Sequence, residues 1–107
     1  MASFVCLYLK GVVELTEERE RHIAENHPDL LPMYRDLIAT TLADPDQVRS
    51  SKRFGSARLF SRWYPHLRSG KHVVVVVMSA PAQARHWIIT AYVARRLAAG
   101  FAEWNRN

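Results

Sequence analysis

After a short apolar run near the start, apolar positions recur at helical spacing up to Leu42 and at strand-like spacing beyond Pro45. Phe4-Val5-Cys6-Leu7-Tyr8-Leu9 is dense in aromatic and aliphatic residues and stops at Lys10-Gly11, which predicts a short strand. Thr16 followed by Glu17 and Glu18 predicts a helix N-terminus, since a hydroxyl caps free N–H groups and acidic side chains favour the positive end of the dipole. That first helix is expected over Glu17 to Asn26, because Pro28 disfavours helical geometry at His27. Asp29 is positioned to cap a second helix, in which Leu30, Tyr34, Leu37, Ile38 and Leu42 recur every three or four residues until Asp44-Pro45.

Beyond Pro45 the period changes. Asp46 to Ser50, Arg58 to Tyr64, His72 to Met78 and Arg85 to Val93 read as strands, separated by Gly55-Ser56, Ser69-Gly70 and Ala80-Pro81. Val73 to Val77 does not alternate, as expected of a central strand covered on both faces. The tail from Ala94 to Asn107 carries Leu97, Phe101 and Trp104 at helical spacing and is read as a short packing helix. The expectation is one domain over residues 1–107 of the α+β class, an N-terminal strand and two helices packed on an antiparallel sheet of about four strands.

Composition narrows the function. The formal charge is +5 and the pI near 9.9, and 12 of the 15 basic residues are arginine, which grips phosphate in a planar, bidentate manner that lysine cannot copy. A polyanion such as RNA is therefore an expected partner. A single cysteine, Cys6, excludes an internal disulfide and reads as a small buried hydrophobe, which points to a reducing cytoplasm. The longest apolar runs are too short to span a bilayer, and no membrane association is expected.

The chemistry-bearing residues are concentrated in two places. His22 and His27 flank a helix end, and histidine is the side chain suited to accept and donate protons near neutral pH. Helix geometry turns His27 well around from His22 unless the helix end unwinds, and so favours His22. In the last strand, alternation assigns Trp87, Ile89, Ala91 and Val93 to the core and His86, Ile88, Thr90 and Tyr92 to a polar face. Arg58, Phe60, Arg62 and Tyr64 share one face of an earlier strand. If the two polar faces coincide, they form a basic and aromatic platform for single-stranded nucleic acid, with Lys52 and Arg53 beside it. The four residues between His22 and His27 do not fit the helical zinc spacing, so neither a metal nor another cofactor is expected.

Taken in order, His22-Ile23, His27-Pro28-Asp29, Leu42 to Val48, Arg62-Trp63-Tyr64, the valine strand and Ile89-Thr90-Ala91-Tyr92 resemble the phage-type nucleases. These belong to a superfamily grouping barnase, EndoU, colicin nucleases and RelE-like toxins, and the resemblance covers roughly residues 12 to 104. It implies the two-helix, four-stranded barnase/EndoU/colicin/RelE-like fold and a metal-independent endoribonuclease leaving 2′,3′-cyclic phosphate ends. It also implies His22, His27, Arg58, Arg62, Thr90 and Tyr92 as catalytic residues. Lys52, Arg53, Tyr64 and His86 are the candidate RNA contacts. EndoU-like enzymes set a lysine beside their histidines; here Lys52 is the nearest candidate, or arginine takes that role. Such an enzyme would be a toxin or a mobile-element protein, neutralised by an acidic antitoxin or immunity protein. The competing readings are a noncatalytic RNA-binding or regulatory module, and a domain whose basic face docks an acidic protein. Oligomeric state is left open.

Overall fold

The structure, a computed structural model, describes residues 1–51, 56–97 and 101–106. Thr16 starts the first helix as its hydroxyl predicts, accepting from the Arg19 N–H at 3.2 Å, and α1 spans Glu17–Asn26. His27 closes it with φ −133° and ψ 65°, a geometry consistent with the restriction Pro28 imposes on the preceding residue. The second helix, α2, begins only at Arg35 and runs to Ala43. Pro32 accounts for the delay: a proline is missing the N–H a helix interior needs, and it disfavours helical geometry at Leu31. Residues 29–34 form turns instead, anchored by the His27 carbonyl, and they bury Leu30 and Leu31 completely.

Among the described residues the chain forms seven strands, which overturns the expected α+β arrangement of about four antiparallel strands under two helices. These are β1 (Ala2–Cys6), β2 (Gly11–Leu15), β3 (Gln47–Ser50), β4 (Arg58–Tyr64), β5 (Lys71–Ala80), β6 (Arg85–Ala94) and β7 (Phe101–Asn105), in spatial order β1-β2-β6-β5-β4-β3-β7. The sheet is mixed: β2 meets β6 in parallel, Glu14 opposite Trp87, and the other pairings are antiparallel.

Two segments account for the difference. The N-terminal apolar run folds back on Gly11–Leu15 as a hairpin, through a turn in which Lys10 takes φ 57°. The tail, expected as a helix, pairs as β7 with β3 through a register shift between Val48 and Arg49. Leu97, Phe101 and Trp104 fit a helical stripe equally well, but β3 offers an unpaired edge whose N–H and C=O groups the tail satisfies.

The helices cover one face of the sheet. On it, Phe60, Val73, Val75, Val77, Ile88 and Ala91 pack against Ile23, Ile38 and Leu42, all essentially inaccessible to solvent. Cys6 is fully buried in this core, and burial pushes its thiol up. The outer face carries a smaller cluster of Ala57, Val74 and Val76, with Leu59, Ile89, Tyr92 and Leu97 against it. Four successive antiparallel pairings make β7 run in the same direction as β6. After Ala94 the described chain lies on the outer face as far as Leu97, which packs against that cluster. Val73–Val77 is thus buried on both sides, as its lack of alternation predicts.

Candidate nucleic-acid interface

A bulge in β6 decides which residues share a surface. Val77 pairs with Ile88 and Val76 with Thr90, which leaves Ile89 as an extra residue. One extra residue reverses the alternation beyond it. Ile88, Ala91 and Val93 join the helix-covered core, whereas Ile89, Thr90 and Tyr92 belong to the outer face. The expected core face of Trp87, Ile89, Ala91 and Val93 is corrected accordingly, and His86 is parted from Thr90 and Tyr92.

Register then separates the strand residues expected to act together. Leu59, Val76 and Thr90 form one cross-strand row, and Ser61, Val74 and Tyr92 the next, both on the outer face. Arg58, Phe60, Arg62 and Tyr64 occupy the opposite, helix-covered face, so the two polar faces do not coincide. Arg58 is ion-paired with Glu103 at 3.0 Å. Arg62 donates to the Asp44 carboxylate at 2.9 Å and to the Asp44 carbonyl at 2.6 Å. Hydrogen bonds and charge from Arg106, then Arg62, hold the Asp44 carboxyl below its ordinary value despite the opposing effect of desolvation. Tyr64 is half-buried with its phenol at Thr41 Oγ1 and donating to the Leu37 carbonyl, and burial pushes its pKa up. These residues tie β4 to its surroundings.

The two helix histidines have different neighbours. His22 is exposed, with its Nε2 3.4 Å from the Asn26 amide, which also donates to the His22 carbonyl at 2.8 Å. His27, by contrast, brings its ring to 6.0 Å from that of Tyr92, at 40°. α1 runs beside the part of β6 that β2 leaves unpaired, and Arg19 donates to the Ile89 carbonyl at 3.2 Å, capping the strand edge at the bulge. The helix end and the Thr90-Ala91-Tyr92 segment therefore meet at one edge of the sheet. His86 lies toward the other end of β6, its Nδ1 2.7 Å from Ser79 Oγ. Lys52 and Arg53 lie outside the described residues.

Comparison with protein-family models, with curated proteins and with solved structures gave no match.

Several residues to which the sequence reading gave no role lie near this edge or across the outer face. Arg95 and Arg96 follow β6 directly and are exposed. Trp63 on β4 is 44% exposed and stands edge-on to His72, ring centroids 4.9 Å apart and planes at 64°. Both belong to the outer face, in the row that continues to Ala94. Burial lowers the His72 pKa, against the opposing pull of Asp46, and so favours the neutral ring. Strand alternation would have placed Trp63 opposite Phe60 and Arg62, but no local pattern tells which face the helices cover. Among the described residues, no three His, Cys, Asp or Glu side chains converge as metal ligands would.

Proposed function

We propose that the protein is a metal-independent endoribonuclease acting on single-stranded RNA, with its site at the junction of the α1 terminus and β6. The observation that carries this reading is the approach of the His27 ring to 6.0 Å from that of Tyr92, with Thr90 two residues earlier on the same face of β6. In this reading His27 removes the proton of a ribose 2′-hydroxyl, which attacks the adjacent phosphorus and expels the 5′-oxygen, leaving a 2′,3′-cyclic phosphate. Thr90 donates to a phosphate oxygen, Tyr92 delivers the proton to the leaving oxygen, and Arg95 and Arg96 offset the charge. His22, five residues earlier and exposed, contacts the RNA strand. Arg58, Arg62 and Tyr64 serve the architecture.

The reading extends to a toxin or mobile-element enzyme of a reducing cytoplasm, restrained by an acidic protein that covers the basic edge. What the structure itself supplies on location is that, among the described residues, no helix is long and apolar enough to cross a membrane. A noncatalytic RNA-binding module is the second reading. It is favoured by one observation: His22 faces Asn26 while His27 faces Tyr92, so the two imidazoles do not meet as an acid–base pair.

The test incubates end-labelled single-stranded RNA with the protein in excess chelator, beside His27→Ala, Tyr92→Phe and His22→Ala. Wild type is expected to leave cyclic phosphate ends, and His27→Ala to lose about 10²- to 10⁴-fold in rate with RNA affinity retained. Cleavage by His27→Ala at the wild-type rate removes His27 from the site. RNA binding without cleavage by wild type selects the second reading.

A further inference from the structure

Trp63 is exposed yet held in place. Its backbone N–H donates to the Asp46 carboxylate at 2.7 Å, and His72 flanks its ring. Beneath it, the turn joining β4 to β5 takes three successive left-handed residues, Arg68, Ser69 and Gly70, the last at φ 101°. That turn brings the Gly70 backbone so close that a Cβ there would lie 2.5 Å from the indole ring. An aromatic ring fixed from two sides but open on its remaining surface loses little freedom when something stacks on it.

The surroundings select the stacking partner. Arg68 and Lys71 lie in or beside the turn, and Arg95 and Arg96 follow Ala94, whose row on the sheet is Trp63–His72–Ala94. The nearby carboxylates are engaged: Asp46 with the Trp63 N–H and Arg106, Asp44 with Arg62 and Arg106. This end of the sheet therefore presents net positive charge around an aromatic surface, the combination that binds unpaired nucleotides. The exposed aliphatic residues Val5, Leu7 and Val12 offer no flat surface to a base, and the exposed aromatics Phe101 and Trp104 lie on β7, where Trp104 packs on Tyr8. Trp63 lies two strands across and two residues along from Tyr92, roughly 12 Å at about 4.8 Å per strand and 3.3 Å per residue. A short run of nucleotides spans that separation.

We propose that Trp63, backed by His72 and Gly70, is a stacking site for an unpaired base of single-stranded RNA, with the flanking phosphates against Arg68, Arg95 and Arg96. The site rests on the reading of the protein as one that binds RNA, and gives that reading a binding residue away from the reacting bond. Stacking is tolerant of base identity, so affinity rather than strict sequence choice is what it supplies.

The experiment measures fluorescence anisotropy of a labelled 2′-O-methyl RNA octamer, which lacks the attacking hydroxyl and stays intact. Trp63→Ala is expected to weaken binding by about 5- to 150-fold, the equivalent of one stacked base. Trp63→Phe should keep most of the affinity, and the slope of affinity against salt should not change, because the indole carries no charge. Phe101→Ala, at an exposed aromatic on β7, should bind as wild type does. An octamer with one abasic position at the stacked nucleotide should be insensitive to Trp63→Ala. Melting curves of both Trp63 variants confirm that they are folded. Wild-type affinity in Trp63→Ala, with Arg95→Ala and Arg96→Ala weakened, overturns the stacking site and leaves RNA binding intact. No binding by wild type at low salt overturns both this site and the function proposed above. Normal binding changes at Trp63 with unaltered cleavage by His27→Ala overturn only the catalytic assignment.

Discussion

His27 shows how much a single backbone position decides. Regular helix geometry turns it away from His22, and Pro28 then forces the last residue of the turn out of the helix, so that the ring swings toward β6. The proline was legible in the sequence; the strand waiting beside it was not. Gly70 is a second decisive position. Its φ of 101° and its contact with Trp63 leave no room for a side chain. Gly70→Ala is expected to cost about 1–3 kcal/mol, from left-handed strain together with the clash, and to alter tryptophan fluorescence. Urea unfolding measures the first, emission spectra the second. Ser61 works in the opposite direction. It is 2% exposed on β4, and its hydroxyl has no hydrogen-bond partner among the described residues. Ser61→Ala should raise stability by up to about 1 kcal/mol by removing a buried, unpaired polar atom. A lower midpoint of thermal unfolding in that variant would contradict this account.

At the scale of elements, β7 is the piece the sequence concealed. Glu103 lies at its bulge and joins two other strands and the β1–β2 turn: Arg58 of β4 at 3.0 Å, the Ser50 hydroxyl of β3, and the Tyr8 phenol at 3.0 Å. Burial raises its pKa, but the hydrogen bonds from Ser50, Arg58 and Tyr8 outweigh that and hold the carboxyl below its ordinary 4.5. A carboxylate with a depressed folded-state pKa adds stability above the unfolded value and loses it as pH falls through the folded one. Glu103→Gln is therefore expected to lower the urea midpoint at pH 7, and to weaken the loss of stability that wild type shows below about pH 4.5. Parallel acid titrations of the two proteins measure both effects. An identical acid dependence in wild type and variant would show that Glu103 contributes nothing to it.

At the scale of the molecule, the two sheet edges lie near each other on the helix side. Tyr8, after β1, packs 5.9 Å from Phe60 and 6.2 Å from Trp104 of β7, and Tyr8 bonds to Glu103. The sheet thus wraps the core, with α2 packed against β1, β4 and β5. Deleting residues 101–107 would expose the β3 edge and unseat Tyr8 at once. The expected outcome is a lower melting temperature together with self-association on size-exclusion chromatography, since a bare strand edge recruits other chains. A truncated protein that stays monomeric with an unchanged melting temperature would show that β7 is not part of the cooperative fold.

Local chemistry alone determined a good part of this protein. Thr16 and Pro28 set the ends of α1, and the valine run announced the buried central strand, because caps, proline sterics and unbroken hydrophobicity act over a few residues. The basic, arginine-rich balance was likewise visible as composition. Tertiary structure decided the rest. Whether residues 101–105 become a helix or a strand depends on an unpaired edge supplied by residues 47–50, and no window of sequence contains both. The bulge at Ile89 moves Thr90 and Tyr92 to the outer face because one extra residue reverses a period of two. That shift, with the placement of both helices on the opposite side, separates Arg58 and Arg62 from Thr90 and Tyr92 and brings His27 to Tyr92 instead. Long-range pairing decided which residues meet, since which residues face one another is a property of register and not of spacing along the chain.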